Sequence, residues 1–396
     1  MAESVLLNPN SYENIEHILQ SLKCFSKIGS DREWVFLGCD GPPYCLVERT
    51  IERNPEKFDY VSTVPGLGHL HMNQMKTLFK ILDPILLEPL GKDVLKFQSP
   101  NAYQFFVDAK DTHKSFQSLQ ILLFGTALEL IRAYKSDIGT DKCSAMGFLK
   151  WQAEHNNSTI QLINQLIFTY TLAVYFFKIG VRRNDVSLIN AARHKFNVLF
   201  FSFNHPYYRE VEYRDFRDRV LYHPEVRQLR DRNISFSESS VLRKSQGGDF
   251  LLEQKVKRQK LIAPKGPIKG ETWKMLSRCL DEFNAIYTTA SSQLNLKEPD
   301  SENIIDLVDE ISSWRAVLRI SNNLNEDNYS EKPKSIYGDI LSSDMIDFTA
   351  KAESKREAFL KLLENGSDIV SMKYNDFLQV LPDTDIDELL YSDEEF

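Results

Sequence analysis

Trp34-Val35-Phe36-Leu37-Gly38-Cys39-Asp40-Gly41-Pro42-Pro43 is a short apolar run that ends in an aspartate, followed by residues that cannot extend it. Trp34, Val35, Phe36 and Leu37 suit a pleated, packed surface, so the run reads as a buried strand. Gly41, Pro42 and Pro43 stop it. Asp40 therefore stands at the strand's carboxyl end, where open α/β sheets place their ligands. A carboxylate there is a candidate metal ligand or acid/base group. The plain alternative is an Asp-Gly turn whose side chain bonds its own backbone.

Working outward, a second strand signal covers Phe58–Val64 and ends at Pro65-Gly66. Tyr44–Arg53 between the two reads as a short helix. Before them, Ser11 has cap character for Tyr12–Leu22, whose Ile15, Ile18, Leu19 and Leu22 share one face. Helix–strand–helix–strand is a β/α layer. Two or three strands are too few for a common sheet, so further strands are expected outside this chain or weakly marked within it.

After Gly66 the pattern turns helical. Leu70, Met72, Met75, Leu78, Phe79 and Leu82 recur at threes and fours over Leu67–Leu82. Further helices are expected at 100–110, 113–135, 144–155, 158–180, 185–203, 206–220, 224–233, 248–262, 271–294, 301–320 and 343–365. Residues 321–335 read as polar linker. The tail from Leu381 is acidic, and its Ile386, Leu389, Leu390 and Tyr391 would let it dock on a protein partner as a short helix; a disordered acidic end is the plain alternative.

The chain has 396 residues, room for two or three domains. At 42% hydrophobic it can bury a large core. Five scattered cysteines without a CxxC pair argue for a reducing compartment and against a disulfide framework or zinc finger. The first residues show no secretory signal. Ile160–Ile179 is long enough to span a bilayer, but Gln161, Asn164, Gln165 and Lys178 make it a buried core helix. No membrane partner is expected.

Charge is unevenly placed. Residues 181–274 hold 20 Lys/Arg against 11 Asp/Glu, and residues 298–396 hold 9 against 24. A basic centre with interleaved aromatics suits a polyanion backbone, while i,i+4 pairing on a solvated face is the competing reading.

Three segments carry candidate chemistry. Gly66 and Gly68 allow a tight strand-to-helix turn before His69 and His71, and the helix N-terminus favours anions. Two apart on a helix, these histidines cannot clamp one metal, but one of them can face the crevice beside Asp40. The plain alternative is a capping or core-edge histidine. Tyr207–Arg219 alternates charge signs, a self-paired face whose arginines and tyrosines also suit phosphate contact and base stacking. In Gln246–Lys260, Asp249 caps a helix and Glu253 lies one turn on; Glu253 beside basic residues is a candidate metal ligand, with an ion pair to Lys257 as the plain reading. Val107–Ser115, also charged, reads as a helix–helix junction.

REWVFLGCDGPPY (32–44), VPGLGHLHMNQMKTLFKIL (64–82), GVRRND (180–185), YREVEYRD (208–215) and GGDFLLEQKVKRQK (247–260) together resemble a multi-copy family of invertebrate proteins. That family carries a transposon-derived domain of unknown function shared with fungi. The resemblance runs from about Leu7 to about Arg319. The wider domain is distantly similar to DDE-type transposases with a ribonuclease-H-like sheet. It implies that Asp40 is the second acid and Glu253 the third, with His69 where hAT transposases carry a CxxH motif; Gly66 stands at that motif's first position. It also implies an all-α insertion over roughly 83–240. Three carboxylates in such a site hold two Mg²⁺ ions that activate water and stabilise the leaving oxygen. The first acid is expected on a strand upstream of Leu7, where only six residues precede; Asp31 is a poor substitute.

The expectation is thus an α/β, predominantly helical protein with a partial ribonuclease-H-like sheet, a large all-α insertion and a helical C-terminal region. The segments are 1–82, 83–240, 241–320 and 321–396. Its expected function is that of a transposase-like, DNA-binding protein inside the cell, in the nucleus, with an incomplete catalytic site. Asp40 and Glu253 are the expected Mg²⁺ ligands with His69 in support. Arg214, Arg217, Lys255, Lys257 and Arg258 are expected at DNA phosphates. The competing class is a non-enzymatic helical scaffold whose acidic tail binds a protein partner.

Overall fold

A computed structural model describes residues 7–9, 11–202, 205–237, 243–262, 307–324 and 331–365, with separate residues between 271 and 293. The chain opens with α1 (Tyr12–Phe25), β1 (Val35–Cys39), α2 (Gly41–Arg53), α3 (Pro55–Phe58) and β2 (Val61–Pro65). Helices α4 (Leu67–Leu82), α5 (Pro100–Val107), α6 (Thr112–Ile138), α7 (Ala145–Glu154), α8 (Ser158–Asn164), α9 (Leu172–Arg183) and α10 (Val186–Phe196) follow. Then come α11 (Pro206–Leu221), α12 (Pro224–Arg232), α13 (Gly248–Ile262), α14 (Leu307–Ser321), α15 (Ser343–Ile346) and α16 (Phe348–Asn365). The protein is predominantly helical around a small parallel sheet.

The two strands pair in parallel from Val35↔Val61 to Cys39↔Pro65. α2 is the crossover between them, a βαβ unit. Gly41, Pro42 and Pro43 do end the strand, but they form the first turn of α2 rather than a separate turn. A proline at the start of a helix loses no hydrogen bond, because the first N–H groups have no partner there. Phe58, expected in the second strand, instead closes α3 and is fully buried against Ile15 and Leu19 of α1. Asp111 caps α6 by accepting from the N–H groups of His113 and Lys114 (both 3.1 Å), so Val107–Ser115 is a helix junction.

The main apolar cluster runs from Leu67 through Leu130, Phe177 and Trp314 to Phe348, and so draws on all four expected segments. Ser158–Arg183 is one continuous helical stretch, with a π-helical segment over Gln165–Thr171. Among the described residues it is the helix long and apolar enough to cross a membrane. Ile160, Ile163, Leu166, Ile167, Val174 and Phe177 are fully buried inside that cluster, as expected of a core helix. The acidic tail from Leu381 lies outside the described residues.

A second kind of core is ionic. α11 carries charge on every side, yet Arg209, Glu210, Arg214, Asp215 and Asp218 are all buried. α2 supplies partners for Glu210 and Arg214. Arg214 donates to Glu210 (2.7 Å) and Glu52 (2.5 Å), and Arg217 to Glu52 (2.6 Å) and Glu48 (3.0 Å). Arg49 forms a two-pronged pair with Glu210. Across the helix, Arg193 and the fully buried Arg230 both reach Asp215. Burial, with Asp218 alongside, pushes the Glu48 carboxyl up, and Thr63 donates to it.

Candidate functional site

Asp40 is held at the end of β1 as the N-cap of α2. Its Oδ1 accepts from the Gly41 N–H (2.6 Å) and from the Tyr208 hydroxyl (2.9 Å) of α11. Its Oδ2 faces His69 Nε2 at 3.7 Å. His69 lies in the first turn of α4, which begins directly after β2, so the two strand ends bring aspartate and imidazole together.

Asp249 completes the arrangement from 180 residues away. Its Oδ2 lies 2.9 Å from His69 Nδ1 and accepts the His69 backbone N–H at 2.8 Å; its Oδ1 accepts the Gly68 N–H at 3.0 Å. Asp249 therefore caps α4 from another helix, where unpaired N–H groups and the helix dipole favour an anion. Burial disfavours its charge, but these His69 and Gly68 donors outweigh that and hold the carboxyl below its ordinary range. Burial likewise disfavours a charged His69. The bond to Asp249 and the fields of Asp40, Asp249 and Glu253 overcome it, so the ring titrates above the ordinary 6.5.

Close approach of the two helices depends on glycines. A Cβ at Gly66 would sit 2.6 Å from Asp249 Oδ2 and 3.0 Å from the Cys39 carbonyl. One at Gly68 would meet Phe250 Cβ at 2.7 Å, and one at Gly247 would meet the Gly68 nitrogen at 2.7 Å. Gly68→Ala is expected to cost about 2 kcal/mol by overpacking and to separate Asp249 from His69. Chemical denaturation together with imidazole NMR checks both effects; an unchanged His69 titration would contradict them.

Because the folded-state value of His69 lies above 6.5, its pairing stabilises the fold fully below pH 6.5 and fades as pH rises through the folded value. Unfolding free energy measured from pH 6 to 9 should fall more steeply in the native protein than in His69→Gln. Equal slopes would count against the pairing.

The other expected residues divide. His71 points away from the site into the core, stacked on Phe177 (6.0 Å, 7°) and held neutral by burial. Glu253 acts on His69, but its Oε1 pairs with Lys257 (2.7 Å), the plain i,i+4 reading; its Oε2 is buried without a hydrogen-bond partner. Arg214 and Arg217, expected at DNA phosphates, are a correction: both are engaged by the carboxylates of α2 and α11 inside the protein. Lys255 is half-buried on α13. The side chain of Arg258 lies outside the described residues. Asp249 was visible in sequence only as a cap for its own helix. The Gly66/Gly68 and Gly247/Gly248 pairs were the available sign of a close helix contact.

Three surface clefts include Trp151 and His155 in one, Asp185 and Arg227 in another, and Arg193 and Glu212 in the third; Asp40, His69 and Asp249 line none of them. Among the described residues no cluster of three or more His, Cys, Asp or Glu is arranged around a metal position. Among the described residues around His69, Asp40 Oδ2 and Glu253 Oε2 have no hydrogen-bond donor. No family model, curated protein or solved structure matches the chain significantly.

Proposed function

We propose that this chain is a transposase-like, nucleic-acid-binding protein, with a ribonuclease-H-like ancestry for its βαβ unit, that holds DNA without cutting it. The observation that carries this reading is the engagement of Asp249 by three N–H groups of α4, beside an Asp40 whose Oδ1 is also taken. A two-metal centre needs carboxylates shared between ions. Here the helix that returns to the strand ends presents its nearest acid to a histidine. The transposase-like part rests on three distant segments meeting at the end of a parallel strand pair, where such acids belong.

His69 does the local work. Fixed by Asp249 through Nδ1, it turns Nε2 toward Asp40, and that nitrogen carries a proton whenever the ring is charged. A divalent ion at Asp40 and Glu253 would supply Lewis acidity to a phosphate oxygen, in competition with that proton. Mg²⁺ affinity should therefore rise with pH as His69 loses its charge. Lys255 and Lys257 on α13 lie on the element that carries Asp249, and we assign them to DNA phosphates.

The test has two arms. Affinity for duplex DNA should fall with salt, and Lys255→Gln/Lys257→Gln should lower the log–log slope by about 2, near 0.9 per phosphate contact. A slope near zero for the native protein would end the binding reading. With Mg²⁺ or Mn²⁺ and supercoiled plasmid, nicking should be the same for the native protein and Asp40→Asn. Metal-dependent cleavage lost in Asp40→Asn would overturn the non-cutting claim.

A further inference from the structure

Among the described residues, the buried arginines on and around α11 have an acid to answer them, with one exception. Arg193, Arg214 and Arg230 each reach a carboxylate. Arg209 does not. It is 7% exposed, and its Nε and Nη2 are buried without any hydrogen-bond partner. Its guanidinium lies 5.4 Å from the centre of the Phe201 ring, a contact with an aromatic face rather than with a counter-ion. Burial alone lowers its pKa to about 10; no carboxylate acts on it.

The surroundings are basic as well. His205 is the N-cap residue of α11, and its Nε2 is also buried without a partner. Its ring packs on Phe200 at 6.0 Å. Burial, then Lys80, Lys76 and Arg209, hold it down to about 3. Lys76 and Lys80 come from the second half of α4, the exposed Lys80 standing toward solvent. Lys76, Lys80 and Arg209 thus lie near enough to His205 to act on its charge, and among the described residues no acid acts on His205 or Arg209.

An unpaired buried guanidinium is strongly unfavourable and calls for an ion. We propose that His205, Arg209, Lys76 and Lys80 form a phosphate-binding site at the N-terminus of α11. Nε–H and Nη2–H lie on one edge of the guanidinium, the fork that takes two oxygens of a phosphate at once. His205 Nε2 donates to a third oxygen when the tautomer places its proton there, and Lys80 closes the solvent side. The 16-residue helix behind them adds the positive end of its dipole. Tyr208, the residue before Arg209, donates to Asp40. The site stands on its own observations and does not depend on what Asp40 does.

The experiment uses the whole chain in phosphate-free buffer, with inorganic phosphate exchanged for chloride at constant ionic strength. Native protein should show a saturable rise in Tm and a saturable heat in calorimetry. Arg209→Met should weaken phosphate binding by about tenfold or more, since it removes both prongs of a charge-assisted pair. Without phosphate its Tm should equal or exceed the native value, because an unpaired buried charge is gone. Lys80→Gln, on an exposed side chain, should weaken phosphate binding about threefold and leave the phosphate-free Tm unchanged, so a folding defect in the first variant does not leave the idea untested. A dinucleotide arm separates sources. Binding of phosphate alone assigns a free phosphate or monoester, and binding of both assigns the phosphodiester of a nucleic acid. No saturable response in the native protein, an undiminished response in Arg209→Met and Lys80→Gln, or equal affinity for a glutamate-rich peptide would overturn the proposal.

Discussion

Asp215→Ala should lower the unfolding free energy by about 3–5 kcal/mol, the range for removing one partner of a buried ion pair. Asp215 is 1% exposed and holds two guanidinium groups, Arg193 from α10 (2.6 Å) and Arg230 from α12. Without it, Arg193 keeps Glu212 (3.0 Å), but the fully buried Arg230 is left with no ion-pair partner among the described residues. Burial already lowers the Arg230 pKa to about 10, so the cost of an unpaired charge falls there. Replacing Asp215 and Arg230 together by apolar residues should cost less than Asp215→Ala alone. Denaturant midpoints for the three proteins measure this. A loss under 1 kcal/mol for Asp215→Ala would mean that the charged layer between α10, α11 and α12 does not hold the fold.

Asp249→Ala should cost about 3 kcal/mol, from losing charge-assisted bonds to a group that is largely buried. Two backbone N–H groups at the start of α4 and the His69 ring lose their acceptor together, and α13 loses its anchor to the strand ends. Asp249→Asn keeps the shape and one acceptor oxygen, so it should recover part of the stability but not the elevated His69 titration. That split separates packing from charge. Equal losses in the two variants would assign the effect to shape alone.

Much of this was legible from the chain itself. Leu67–Leu82 is the helix that Leu70, Met75, Leu78 and Leu82 mark out, and Gly248–Ile262 begins just after Gly247, as its glycines indicate. Asp40 and His69 were readable because each sits beside the signal that ends a strand. The ionic contacts were hidden for one physical reason. Arg214 and Arg217 look like a cationic face locally, because the Glu48 and Glu52 that neutralise them lie about 160 positions earlier. Asp249 was hidden in the same way, its partner being 180 residues back. The π-helical segments Asp83–Leu87 and Leu90–Val94 left no periodic mark, since Ile85, Leu86, Leu87 and Leu90 are buried as a nearly continuous apolar run.

The central claim is that Asp249 fixes His69 through Nδ1 and turns its Nε2 toward Asp40. Following the His69 imidazole by NMR through a pH titration tests it most directly, in the native protein and in Asp249→Asn and Asp40→Asn. The ring should titrate above 6.5 in the native protein, drop furthest in Asp249→Asn and drop less in Asp40→Asn. A native His69 that titrates at or below 6.5, or that is indifferent to both substitutions, would contradict the account.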